Sequence, residues 1–280
     1  MTTISMSGRT ALVTGGGAGI GRGIAEAFGR LGARVIVAEI DPVRAENVRG
    51  ALAALGVDAY VSVTDVRDGV QVDTLMGEVA RRYGALDVLI NNVGDFLYIV
   101  KPFEQTTEAD WSALYDINLR HIFLVTRAAI PLLRKASSGA SIVNISTIEA
   151  FRGIPNAALY SAFKAAITGF TKSLALELGP AGIRVNAIAP ETTATEQVKP
   201  GVYIRPQYRD NTPRWIPLGR FGEPSDAAGC AVFLATELSA WVTGTTIHLD
   251  GGALAAGGWY RTPTGEWTNT PVVTDSGFGA

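Results

Sequence analysis

The chain has 280 residues, 47% hydrophobic and 18% charged, with a net charge of −2 and a pI near 5.8. That length can bury one large α/β core, and the near-neutral balance gives no general electrostatic case for nucleic acid or an anionic membrane. No apolar run approaches the roughly 18 residues of a spanning helix, and Gly15-Gly16-Gly17 arrives too soon for a signal peptide, so a cytoplasmic protein off the membrane is expected.

In chain order, short β-branched runs alternate with amphipathic segments, the pattern of βα units around a parallel sheet. Strands are predicted at Ala11 to Thr14, Arg34 to Ala38, Asp58 to Val63, Val88 to Asn91, Ser141 to Ser146, Arg184 to Ile188 and Thr245 to Leu249. Helices are predicted near Gly19 to Leu31, Pro42 to Ala54, Val70 to Tyr83, Glu108 to Lys135, Ala157 to Leu178 and Pro224 to Ala235. Together they predict one Rossmann-type, doubly wound sheet of seven parallel strands, helices on both faces, in a single domain spanning 1–280.

Two segments stand outside the alternation. Residues 191–221, rich in Pro, Thr, Tyr and Arg, form a connection long enough to be a substrate lid. Its Tyr203, Tyr208 and Trp215 with Lys199, Arg205, Arg209 and Arg214 suit an amphipathic or anionic substrate with a ring. The C-terminal extension, 253–280, carries aromatic stretches around Pro263-Thr264-Gly265, which read as a small hairpin, an arm on a neighbouring subunit, or a tail without structure.

Between the first strand and the first helix lies Thr14-Gly15-Gly16-Gly17-Ala18-Gly19-Ile20-Gly21. Glycines there permit a tight turn and close approach, and the helix N-terminus presents free N–H groups to a pyrophosphate. Gly15, Gly17, Gly19, Ile20 and Gly21 are therefore candidate cofactor contacts. The second strand ends at Glu39, whose carboxylate can accept hydrogen bonds from ribose hydroxyls and repels a 2′-phosphate, which favours NAD over NADP. Asp41 suits the N-cap before Pro42 better than a ribose partner. Arg22 is the residue that could instead serve a 2′-phosphate.

Tyr160 and Lys164 stand at i, i+4 on a predicted helix, which puts a phenol and an ammonium on one face. A cation about 4 Å from the phenol would lower its pKa by up to about three units, enough for proton exchange with an alcohol. Such a spacing also arises by chance, so the pair gains weight from its surroundings. The lone Cys230 excludes an internal disulfide and argues against a thiolate metal cluster. His121 and His248 share no metal-ligand spacing and read as structural, so no metal is expected.

From about Thr10 to Gly252 these residues resemble the short-chain dehydrogenase/reductase family. The resemblance rests on Thr14-Gly15-x-x-x-Gly19-x-Gly21, Asp65-Val66, Asn91-Asn92-Val93-Gly94, Asn118, Ile142 to Ser146, Tyr160-x-x-x-Lys164 and Pro190. It implies that Asp65 and Val66 meet adenine, that Asn92, Val93 and Gly94 turn beside the nicotinamide ribose, and that Pro190, Thr193 and Thr195 hold the carboxamide end. It implies NAD-dependent hydride transfer between a small secondary alcohol and a ketone. Tyr160 would be the acid/base, Lys164 would lower its pKa and hold the ribose, and Asn118 would seat a relay water. Relatives form tetramers through their long helices, so a homotetramer is expected.

Three departures from the family pattern stand out. Asn-Asn-Ala-Gly is Asn-Asn-Val-Gly here, Pro-Gly is Pro190-Glu191, and the place of the catalytic serine, thirteen residues before Tyr160, is Thr147. Thr147 carries the same hydroxyl, while Ser146 should point to the other side of an extended strand, so Thr147 is the candidate. Ala18, often basic in NADP-using relatives, is neutral here. The rivals are an NADP-dependent 3-oxoacyl thioester reductase and a dinucleotide-sensing protein without turnover.

Overall fold

The computed structural model describes residues 4–199, 206–258, 260–262, 264–265 and 267–268, with 206–209 and 267–268 described in backbone only. Tyr203, Arg205, Trp259, Pro263 and Glu266, and the side chains of Tyr208, Arg209 and Trp267, lie outside it.

Seven parallel strands build one sheet: β1 (Thr10–Thr14), β2 (Arg34–Glu39), β3 (Ala59–Val63), β4 (Val88–Asn91), β5 (Ala140–Ile145), β6 (Ile183–Pro190) and β7 (Thr246–Leu249). Their order is β3-β2-β1-β4-β5-β6-β7, so the winding reverses between β1 and β4. Strand alternation sends Val13, Val35, Val37 and Ile90 to one face and Leu12, Ile36, Leu89 and Ile142 to the other. The first face is covered by α1 (Gly19–Arg30), α2 (Pro42–Ala54) and α7 (Pro224–Ala235) through Ile24, Phe28, Val48, Leu52 and Leu234. The second is covered by α3 (Gly69–Tyr83), α5 (His121–Leu133) and α6 (Ala158–Leu178) through Leu75, Val79, Val125, Ala129 and Leu178. Both sheet faces are thus closed to water, which is why the strands read as apolar runs.

Boundaries moved by a residue or two, as frayed ends do. The expected single helix from Glu108 to Lys135 differs more. It divides into α4 (Glu108–Tyr115), a π-helical turn (Asp116–Arg120) and α5. The Asn118 amide opens this turn by donating to the Leu114 carbonyl at 3.0 Å and reaching outward to the Asp95 carbonyl at 2.7 Å.

Inside the sheet a buried polar ladder ties the strands to the helices that carry the site. Asn91 donates to Thr126 of α5 at 3.0 Å and to Asn144 of β5 at 2.9 Å, and Asn144 donates to Thr171 of α6 at 3.0 Å. Beyond Gly252 the chain makes one short helix, α8 (Ala253–Ala256), and a two-stranded hairpin of β8 (Tyr260–Arg261) and β9 (Trp267–Thr268). No helix among the described residues is long and apolar enough to cross a membrane.

Candidate active site

The β1–α1 loop is shaped by what cannot fit there. A Cβ on Gly21 would lie 2.3 Å from the Gly15 carbonyl and 2.5 Å from the Asn92 amide, and one on Gly17 would lie 2.6 Å from the Glu39 carboxylate. Asn92 staples this loop to the end of β4, donating from its side chain to the carbonyls of Thr14 at 3.0 Å and Gly15 at 3.2 Å. Ala18 caps α1 without a side-chain hydrogen bond and the first turn holds no acid, so its leading N–H groups stay open to an anion.

Glu39, 4% exposed, accepts from the Gly17 N–H at 3.0 Å and the Asp41 N–H at 3.1 Å. Its carboxylate therefore faces the loop where an adenosine ribose would lie. Asp41 caps α2, accepting from Val43 and Arg44. Arg22 is turned to Glu26 at 2.8 Å, away from that ribose position. Asp65 is held by Arg67 at 2.8 Å and Val66 is buried in the second core.

The catalytic candidates converge at the C-terminal ends of β4, β5 and β6, where ligands bind in open α/β sheets. Tyr160 and Lys164 sit one turn apart on α6. The Lys164 ammonium, 3% exposed, donates to the Ile145 carbonyl at 3.2 Å and lies 5.9 Å from the Tyr160 ring centre. A Cβ on Gly94 would be 2.5 Å from that ammonium and 3.2 Å from the Asn118 side-chain oxygen, so Gly94 lies against both. Thr147, on the chain just after β5, acts on the Tyr160 phenol and donates to the Pro190 carbonyl at 3.4 Å. Ser146 instead donates to the Lys164 carbonyl at 3.0 Å, buried behind the site. Asn118 clamps the Asp95 backbone, accepting from its N–H at 3.1 Å and donating to its carbonyl.

One expectation needs correction. Lys164 does not lower the Tyr160 pKa in this structure. The phenol is pushed above the ordinary tyrosine range by burial, then by the Glu149 and Asp95 carboxylates, with the Thr147 hydroxyl opposing them. Burial also pulls Lys164 down to about 8. Burial leads the causes of that rise, and the Lys164 ammonium is not among them.

Thr193 pairs with Gly222 in an isolated bridge, and the Thr195 methyl rests against Gly19, so the segment after β6 lies over the glycine loop. His121 is buried and falls to about 3 through burial, and His248 stacks edge-on to Phe151 at 4.5 Å, consistent with structural roles. Cys230 packs against the first core. Among the described residues, no cluster of His, Cys, Asp and Glu could hold a metal ion.

Sequence reasoning missed Asp95, Glu149 and Arg152. Arg152 donates to Glu149 at 2.8 Å and to Glu191 at 2.7 Å, beside Thr147. The opposite charges at 149 and 152, one helical turn apart, were the available signal.

The family model described as enoyl-(acyl carrier protein) reductase matches residues 15–253. A 3-oxoacyl-acyl-carrier-protein reductase of Thermotoga maritima is 38% identical over 88% of this chain and 98% of its own. A galactitol 2-dehydrogenase of Agrobacterium fabrum is 34% identical over 88% and 98%. The solved structure of a 7α-hydroxysteroid dehydrogenase, complexed with NADH and 7-oxo glycochenodeoxycholic acid, superposes with a TM-score of 0.83 at 30% identity, covering 90% of this chain and 98% of that one. The chain belongs to the short-chain dehydrogenase/reductase family. It is an oxidoreductase of that family, whose members use nicotinamide dinucleotides.

Proposed function

We propose that this protein is an NAD(H)-dependent oxidoreductase that interconverts a secondary alcohol and a ketone. The observation that carries the reading is the packing of α6, with Tyr160 and the buried Lys164, against the end of β5 that carries Thr147, beside a glycine loop suited to a pyrophosphate. When bound, the dinucleotide supplies or accepts the hydride. Thr147 hydrogen-bonds the substrate oxygen and Tyr160 exchanges its proton. A phenol held protonated by burial is ready to donate to a ketone oxygen. Lys164 holds the ribose, and Asn118 keeps the Asp95 loop and the relay water in place.

Glu39 supports NAD, because a 2′-phosphate would meet its buried carboxylate. Asp65, Val66, Asn92, Val93, Gly94, Pro190, Thr193 and Thr195 complete the cofactor contacts. Residues 191–221 act as lid. The second reading is an NADP-dependent 3-oxoacyl thioester reductase. It draws on the Thermotoga relative and on Arg44, half-exposed beside Gly17 and paired with Glu196 at 3.7 Å.

We also infer a cytoplasmic homotetramer. Trp241 is 99% exposed and Leu176 81% exposed, apolar surface of the kind a second subunit covers. Sedimentation as a monomer would contradict it.

The test is a panel of secondary alcohols and ketones with NAD(H) and NADP(H) side by side, in wild type and Tyr160→Phe. Wild-type turnover with NADH, lost by orders of magnitude in the variant while NADH still binds, is the expected result. Retained activity in the variant would sink the mechanism.

A further inference from the structure

Glu191 stands where the family pattern has glycine, and its carboxylate is fully engaged. One oxygen accepts from the Thr192 N–H at 2.7 Å and the Thr192 hydroxyl at 2.9 Å, and the other accepts from Arg152 at 2.7 Å. Arg152 also donates to Glu149, from Nη2 at 2.8 Å and from Nε at 3.3 Å to both oxygens. The Glu191 and Glu149 side chains are 9% and 17% exposed, so the group is shielded from water on its carboxylate side.

Its position is set by three contacts. The Glu149 N–H donates to Thr147 Oγ1 at 3.4 Å, the same hydroxyl donates to the Pro190 carbonyl just before Glu191, and the Glu191 N–H donates to the Leu249 carbonyl at the end of β7. The three side chains therefore border the place where a substrate oxygen would meet Thr147 and Tyr160. Two carboxylates share one guanidinium there, which leaves one net negative charge. Asp95, whose carboxylate acts on Tyr160, adds no positive charge, and the Lys164 ammonium is 3% exposed and donates to the Ile145 carbonyl. Beside them lies an apolar wall of Ile148, Ala189, Ile216 and Ala253 with Trp215 and Phe221 against it.

We propose that the Glu149–Arg152–Glu191 triad makes Glu191 a specificity determinant, selecting substrates uncharged near the reacting carbon and rejecting those that carry a carboxylate or phosphate there. The basic residues of the lid favour an anion. The triad opposes that preference, because its guanidinium is spent on two carboxylates of the protein itself. The proposal rests on the alcohol–ketone reading above and deepens it to a substrate class. A net charge within about 6 Å of a bound anion, at the effective dielectric of a partly buried site, disfavours binding by tenfold or more.

The test pairs 3-oxocyclohexanecarboxylate with its methyl ester, the same skeleton with and without charge. Binding to the NADH complex is read by NADH fluorescence, and turnover is read in parallel. Wild type should prefer the ester by at least about tenfold. Glu191→Gln, which keeps the acceptor for Thr192 and removes the charge, and Glu191→Gly should each cut the ester-to-acid ratio by about tenfold. No ester preference in wild type, or an unchanged ratio in Glu191→Gln, overturns the proposal. A structural role alone would move both ligands equally. Failure of every ketone to turn over would refute the oxidoreductase reading, while the binding ratio would still judge the triad.

Discussion

The two ends of the crevice are built by different means. The glycine-rich end, from the β1–α1 loop to Gly94, is packed so closely that a methyl added at Gly17 or Gly21 would meet the Glu39 side chain or the Gly15 carbonyl. The substrate end, around the tips of β5, β6 and β7, is made of side chains paired across long stretches of chain, as Arg152 is with Glu191. The difference teaches where change is tolerated. A position closed by backbone, as Gly21 is by the Gly15 carbonyl, admits one residue type, while paired side chains can be exchanged on an unchanged frame.

The sharpest way to break this contrast is at Gly21. Gly21→Ala puts its methyl into the Gly15 carbonyl, so NADH affinity should fall by more than a hundredfold and stability by about 1–3 kcal/mol. Calorimetric titration and thermal melting read both. NADH binding at the wild-type level would show that the loop is not set by close packing.

An effect of comparable size is expected from Lys164, where the two ends meet. Unfolded lysine titrates near 10.5, and burial takes Lys164 to about 8. Between those pH values the unfolded chain binds more protons, so stability should rise with pH across that window, by about 3 kcal/mol in all. Lys164→Met should flatten that rise, melt higher than wild type at pH 7, and lose turnover. Parallel denaturation curves from pH 7 to 10.5 would refute the burial cost.

The smallest change concerns Glu39. Glu39→Ser removes the carboxylate that faces a 2′-phosphate, and the NADH-to-NADPH preference in kcat/KM should narrow by about tenfold. An unchanged ratio would point to Arg44 as the residue that sets cofactor choice.

Local chemistry in the chain determined the alternation of strands and helices, the glycine loop, the Asp41 cap before Pro42 and the Tyr160–Lys164 spacing. Each depends on neighbours within a few residues, so pattern and propensity suffice to read them. The resemblance carried Thr147 as the hydroxyl thirteen residues before Tyr160, and in the structure that hydroxyl donates to the Pro190 carbonyl while Ser146 is spent on the α6 backbone.

Three matters belonged to the tertiary structure alone. The π-helical turn at Asn118 exists because the amide reaches Asp95, 23 residues away, which helical periodicity does not encode. The pKa of Tyr160 follows from burial and from Glu149 and Asp95, groups whose distances arise only when β4, β5 and α6 assemble. Glu191 read as a misplaced acid until Arg152, 39 residues earlier, closed on it. Periodicity reports which face a residue occupies. Electrostatics depends on the separation between groups, and the packed sheet alone sets that.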